Sequence, residues 1–417
     1  MSDVNEATAA LFVMPRRHSQ WGGAAALWVT AAGWADAARR RFGHAWIVSP
    51  DGVATPEEAL DFTRPTGASS SAARAPRVPI DVRNAMKDAR QWQRARAFRP
   101  GDAPEWTGER LAFVWQHHDL FHHAGENLAH RYGVPIVSYV HAPQVWEARK
   151  WGVRRPGYGG LLERVAERPQ LLASDVICCV SNDVAEELTR FGVERDRILV
   201  SPMAVDANRF SPEVSGTAVR EGFGLGEGFV VGWIGSFRGF HGLESVVESF
   251  GRVVTADPAA RLLLVGEGSE RNALEAHVRA LGLSASVVFT GAVANPDIPE
   301  HIAAMDVALV SARPGDDFHY SPLKLREYLA CGRAVVAPNL GEIPTTVSDG
   351  TSALLYDVGD SDDLAAKLEV LRGDPAFRSR VAAAGRELAV ATSTWDLRLR
   401  DLLNCTPYRR ALARGSR

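Results

Sequence analysis

An alternation that runs through the chain twice does most to restrict the fold. Short, almost wholly apolar runs are separated by longer windows whose apolar residues recur at helical spacing. Runs this short, flanked by helices, read as strands buried on both faces, which is the signature of a parallel sheet with crossover helices. The first series is Ala10–Met14, Ala45–Ser49, Leu111–Trp115, Pro135–Val140, Val176–Val180 and Ile198–Ser201, with helical windows such as Gly125–Tyr132 and Asn182–Phe191 between them. After the turn-rich NRFSPEVSG, Asn208–Gly216, a second series runs Phe229–Ile234, Arg261–Val265, Val287–Thr290, Val307–Val310 and Ala334–Ala337.

A chain of 417 residues holds two such units. The expected fold class is therefore α/β, with two Rossmann-like domains facing across a cleft. The expected boundaries are 1–210 and 211–385. Residues 386–417 then supply a last helix, read at Glu387–Leu403, that crosses back to the first domain. Open α/β sheets bind ligands at the carboxyl ends of their strands, so the cleft is the expected site.

Composition mainly excludes. A formal charge of −3 gives no general pull toward nucleic acid. The four cysteines, two of them adjacent at Cys178–Cys179, have neither metal-ligand nor disulfide-framework spacing. The N-terminal MSDVNEATAALFVMP lacks a basic region ahead of a long apolar core, and no run approaches the roughly 18 apolar residues of a membrane helix. A soluble, cytoplasmic protein is expected.

Chemistry is suggested by two stretches. In HYSPLKLREYLACGRAVV, Ser321 can accept a bond from a free amide and Pro322 suits the first position of a helix. Leu323, Leu325, Tyr328 and Leu329 then repeat at helical spacing, and Gly332 ends the run. The free amides of Leu323 and Lys324, with the Lys324 ammonium, make an anion site. Glu327, one turn on, can accept bonds from hydroxyl groups. The second stretch, VVGWIGSFRGFHGLESV, carries a buried strand into a loop with Gly235, Gly239 and Gly242, where Arg238 offers a permanent charge to phosphate oxygens. A diphosphate on the helix and a ribose on Glu327 together read as a nucleotide site.

These motifs, in order, resemble the retaining glycosyltransferases of GT-B family 4. VSPMAVDANRFSP, VGWIGSFRGFHG, LLLVGEGSERNALEAHV, VVFTGAV, MDVALVSA, SPLKLREYLACGRAVVA and LGEIPTTVSDGTSALLYDVGD carry the likeness over roughly residues 195–375. MPRRHSQWGGAAA and VWQHHDLFHHAGENLAHRYGVPIVSYVHAP extend it more loosely into the first half. The resemblance implies transfer of a sugar from a nucleotide diphosphate sugar, UDP or GDP, to an acceptor hydroxyl, without a metal or other cofactor. Arg238, Lys324, His117 and His141 would be catalytic. Gly23, Gly235, Ser236, Leu323, Glu327 and Val293 would bind the nucleotide and its phosphates, and His319 and Ser321 would face the donor sugar.

The chain departs from the family pattern in two places. His319 stands where the family has a glutamate eight positions before Glu327, with Asp316 and Asp317 nearby. Ser236 and His241 stand where its phosphate loop has cations. A GT-B sugar-nucleotide epimerase or hydrolase, and a noncatalytic nucleotide-sugar-binding protein, remain as alternatives. The acceptor is not legible. Two basic stretches with interleaved Trp, Val82–Pro100 and Glu147–Val165, read as solvated helical faces in preference to surfaces for anionic lipid or an anionic acceptor.

Overall fold

A computed structural model describes residues 6–18, 25–61, 63, 79–315 and 321–415. Among them the chain divides into two compact units, Met1–Pro202 with Trp395–Arg417, and Met203–Thr394.

The first unit is built on a seven-stranded sheet. Its strands are β1 (Ala9–Val13), β2 (His44–Ser49), β3 (Gly52–Ala54), β4 (Leu111–His117), β5 (Ile136–Val140), β6 (Val176–Cys179) and β7 (Ile198–Val200), in the order β3-β2-β1-β4-β5-β6-β7. All pairs are parallel except the short β3 against β2. Every residue of β1, β5 and β6 is buried, which is why these strands read as unbroken apolar runs rather than alternating ones.

The second unit carries β8 (Val230–Ile234), β9 (Arg261–Val265), β10 (Val287–Gly291), β11 (Val307–Leu309), β12 (Ala334–Pro338) and β13 (Leu354–Tyr356). They form an all-parallel sheet in the order β10-β9-β8-β11-β12-β13. Strand alternation divides its core in two: Val230 and Ile234 pack into one apolar cluster, Val231 and Trp233 into another on the opposite face. In each sheet the chain winds outward from a central pair, β1/β4 in one and β8/β11 in the other. That reversal of winding opens a crevice at the carboxyl ends of those strands.

The last helical stretch differs from its reading. Pro375–Thr392 and Trp395–Asn404 are separate helices, and Thr406–Gly415 follows. Between the first two, Ser393 accepts from the Val205 amide at 2.8 Å and Thr394 bridges to Val205. This backbone pairing takes the chain out of helical geometry at residues where apolar periodicity alone continues it. The division between units accordingly falls after Pro202 and after Thr394, rather than near residues 210 and 385.

Candidate functional site

In the second unit the site grows from three strand ends. Gly235 follows β8 with φ 152°, and its amide donates to Val265 O at 2.9 Å. Gly266 follows β9 with φ 136°, a backbone that L side chains rarely adopt, and a Cβ there would lie 1.8 Å from Gly235 O. A Cβ on Gly268 would lie 2.3 Å from Phe237 O. The loop after β8 thus rests directly on the backbone of the loop after β9, held by Phe237 N to Glu267 O at 2.9 Å and Glu270 N to Phe237 O at 3.1 Å. Arg238 is exposed on this loop, and Gly242, at φ 59°, starts the helix Leu243–Ala256.

The helix Leu323–Ala330 follows β11 across the crevice. It is tied to β8 by its buried Tyr328, whose hydroxyl accepts from Ile234 N at 2.8 Å. Buried Arg326 pairs with Glu342 at 2.9 Å and donates to Pro322 O at 3.1 Å. These two side chains fix the helix, leaving Lys324 and Glu327 to other work. Pro322 is the N-cap rather than the first helical residue. Ser321 does not cap the helix either: its hydroxyl is buried and accepts from the Met203 amide at 3.2 Å.

The Lys324 ammonium lies 3.8 Å from the centre of the Trp233 ring, and a Cβ on Gly235 would come within 2.9 Å of it. Its Nζ is buried and has no hydrogen-bond partner among the described residues. Burial lowers its pKa to about 7, with the Glu327 charge opposing. Glu327 is buried as well, and burial raises its pKa to about 7 against the charges of Arg209 and Lys324 and a bond from Asn295. One carboxylate oxygen, Oε1, has no partner among the described residues. Arg209 also bonds Asn295, so this pair frames the acid. Val293, two positions before Asn295 on the loop after β10, packs half-buried on the adjoining core.

His241 occupies the loop where a second cation was expected by resemblance. It packs edge-on to Trp233 with ring centres 5.1 Å apart. Burial, then the charges of Lys324 and Arg238, push its pKa down to about 2. It is a neutral ring near pH 7. The positive charge around this loop therefore comes from Arg238, Lys324 and Arg313, whose Nη1 would lie 3.2 Å from a Cβ on Gly239.

In the first unit, His117 ends β4 and His141 follows β5, their ring centres 5.2 Å apart. Burial, followed by the neighbouring His141, holds His117 well below its ordinary pKa. Burial likewise brings His141 to about 4. Both are neutral imidazoles near pH 7. Beside them Asp119 is fully buried and accepts from Gln91 Nε2 at 2.6 Å, from the Leu120 amide at 2.9 Å and from Arg16 in a forked pair. Burial would raise this carboxyl; Arg16 outweighs it and leaves the pKa lowered. His118 and the amides of Gln144 and Val145 meet buried Glu167 instead. Among the described residues no group of three or more His, Cys, Asp or Glu is placed to hold a metal.

Of the residues picked from sequence, Gly235, Ser236, Arg238, Leu323, Lys324 and Glu327 lie on the loop after β8 and the short helix beyond β11. His117 and His141 come together in the first unit. Gly23 and His319, with Asp316 and Asp317, lie outside the described residues. Sequence reasoning missed Trp233, Arg209 and Asn295. Trp233 reads as one more apolar strand residue, while Arg209 and Asn295 sit in turn-rich stretches where polar residues are unremarked. It also missed the Arg16–Asp119–Gln91 cluster, whose members are far apart in the chain.

The profile of Glycosyltransferase Family 4 matches residues 29–209, and that of Glycosyl transferases group 1 matches residues 228–374. A mannosylfructose-phosphate synthase of Agrobacterium fabrum is 26% identical over 293 residues, 65% of this chain and 63% of its own length. A GDP-mannose-dependent alpha-(1-6)-phosphatidylinositol monomannoside mannosyltransferase of Mycolicibacterium smegmatis is 30% identical over 210 residues, 49% of this chain and 55% of its own. The chain thus spans less than two thirds of either relative. Among solved structures, the Anabaena HepE protein in complex with UDP-glucose shares the fold. It has a TM-score of 0.61 at 18% identity, covering 98% of this chain and 99% of that one.

Proposed function

Because the chain belongs to the glycosyltransferases of group 1 and family 4, we propose that it moves a sugar from a nucleoside diphosphate sugar to an acceptor hydroxyl, with retention of anomeric configuration. The observation that carries this reading is the buried Lys324 ammonium. It lies against Trp233 and Gly235 at the crevice of the second sheet, without a hydrogen-bond partner among the described residues. A diphosphate supplies the charge such a group lacks.

In this reading the bond between the sugar and the leaving phosphate breaks with its electron pair on the phosphate. The acceptor oxygen attacks from the same face, and its proton passes to the departing phosphate oxygen. No separate general base is needed. Arg238, Lys324 and the amides of Leu323 and Lys324 stabilise the growing phosphate charge, each such donor being worth about 2.7–4 kcal/mol. Gly235 and Ser236 bring backbone close to the phosphates, Glu327 accepts from the ribose hydroxyls, and Val293 borders the nucleoside. Gly23 is assigned to the phosphates, and His319 and Ser321 to the donor sugar. His117 and His141, being neutral, orient sugar or acceptor by hydrogen bonding. UDP and GDP are the favoured nucleotides, since one relative is named for GDP-mannose and a solved structure of the same fold for UDP-glucose. The reaction is assigned no metal.

The test is incubation with UDP- and GDP-sugars and a panel of hydroxyl acceptors, with NMR of the product's anomeric centre. A retained configuration is expected, and Lys324→Met should lower kcat about 10²–10³-fold without lowering the melting temperature. Turnover of a nucleotide sugar alone, unaffected by added alcohols, would instead identify an epimerase or hydrolase. Nucleotide-sugar binding with no turnover would identify a binding protein.

A further inference from the structure

The helix Ile80–Ala97 in the first unit is oriented against the usual pattern. Its buried positions are Asp88, Gln91 and Ala95, so two of the three residues it turns inward are polar. Asp88 is held by Arg155 at 2.7 and 2.9 Å and by the Tyr158 hydroxyl at 3.0 Å, and Gln91 by Asp119. The helix is pinned to its unit by polar bonds, and its large apolar residues, Ile80, Val82, Met86 and Trp92, are left exposed. Val82 and Met86, 49% and 44% exposed, are one turn apart on the side away from the attachment. Beside them runs a second stripe at helical spacing, Arg83, Lys87, Arg90 and Arg94, each exposed. Trp92, 44% exposed, lies on the other flank with Arg96 over its ring at 5.0 Å.

The adjoining stretch has the same character. Asn84 donates to Arg154 O at 3.1 Å, joining residues 149–168 to the helix. Here Trp151, Leu161 and Val165 are 41%, 61% and 59% exposed. The helix carries five Arg or Lys against two Asp, and residues 149–168 carry six against two Glu, in a chain whose formal charge is −3. Exposed apolar side chains grouped beside a basic stripe go beyond the singly scattered ones of an ordinary surface. A second copy of this face would bring like charges together, and nucleic acid has no use for Val82, Met86 and Leu161. An anionic bilayer surface satisfies both stripes: lipid phosphates meet the cations while the apolar side chains enter the headgroup boundary.

We propose that this face of the first unit, helix Ile80–Ala97 with residues 149–168, seats the protein on anionic membrane surfaces. The solvated-face reading preferred from sequence alone had no means of seeing that Asp88 and Gln91 turn inward. The seat does not depend on the donor chemistry and stands or falls separately from it.

The 417-residue chain is to be spun with vesicles of phosphatidylcholine alone and of phosphatidylcholine mixed with phosphatidylglycerol, across a salt series. Binding is expected to the mixed vesicles only and to fall as salt rises. Replacing Arg83, Lys87, Arg90 and Arg94 together by Gln should weaken it at least about tenfold. The V82E/M86E double variant, at exposed positions, should weaken it with an unchanged Tm and unchanged nucleotide affinity. The proposal is overturned if the mixed vesicles do not bind, if phosphatidylcholine alone binds equally well, or if both variants bind like the parent. Concentration-dependent dimers that V82E/M86E abolishes would overturn it in favour of self-association.

Discussion

Lys324 and Glu327 share one short helix, and burial acts on both, in opposite directions. The ammonium is brought from 10.5 to about 7 and the carboxyl from 4.5 to about 7. Their linkage signs follow. Between about pH 4.5 and 7 the folded state holds more protons at Glu327 than the unfolded chain, so this contribution to stability falls as pH rises. Between about pH 7 and 10.5 the unfolded chain holds more protons at Lys324, so that contribution rises. The ligand-free protein should therefore show a dip in stability near neutral pH that the Lys324→Met/Glu327→Gln double variant lacks. Urea denaturation across that range measures it, and parallel curves for the two proteins would refute the assignment. The residues themselves were legible, since neither is required by the packing of SPLKLREYLACGRAVV. Their environment was not. Trp233 beneath Lys324, and Arg209 and Asn295 around Glu327, come from other elements. His241 could be named as a departure, but only its packing against Trp233 reveals a neutral ring.

At the scale of elements, the loop after β8 gets its shape from the one after β9. Gly266 combines φ 136° with a Cβ position 1.8 Å from Gly235 O. Gly266→Ala should cost about 1–3 kcal/mol in stability from backbone strain and overpacking. It should also weaken nucleoside diphosphate binding, because the displaced atom belongs to the phosphate loop. Denaturation and titration of the variant read the two effects separately; an unchanged affinity would remove Gly235 from the site. The strands were largely legible because burial on both faces leaves little but apolar residues in them. Gly52–Ala54, only one residue of which is buried, and Leu354–Tyr356 went unread. GEGSER was legible only as part of LLLVGEGSERNALEAHV in the family likeness, since a glycine that accommodates another loop's backbone has no signature of its own.

For the whole molecule, the chain's last helices belong to the first unit. Trp395 is 2% exposed and packs so closely on helix Ala25–Phe42 that a Cβ at Gly33 would lie 2.2 Å from its indole nitrogen. Tyr408, fully buried, donates to Ala112 O at 3.1 Å beside Phe113. Trp395→Ala should therefore destabilise the first unit by about 3–5 kcal/mol, read as a lowered denaturation midpoint. A shift below 1 kcal/mol would contradict the packing. The two-unit plan was visible in the repeated alternation of strands and helices. The break at Ser393–Thr394 was not, because it depends on Val205 from the far side of the second unit's sequence.

The central claim, a nucleoside diphosphate held by Lys324, is tested most directly by calorimetric titration of UDP and GDP near pH 8 in buffers of different ionisation enthalpy. A phosphate beside an ammonium whose pKa lies near 7 must raise that pKa, so binding at this pH should take up a proton. The account predicts binding of at least one nucleotide with proton uptake, and loss of both the uptake and most of the affinity in Lys324→Met. Equal affinity in parent and variant, with no proton uptake in either, would contradict it.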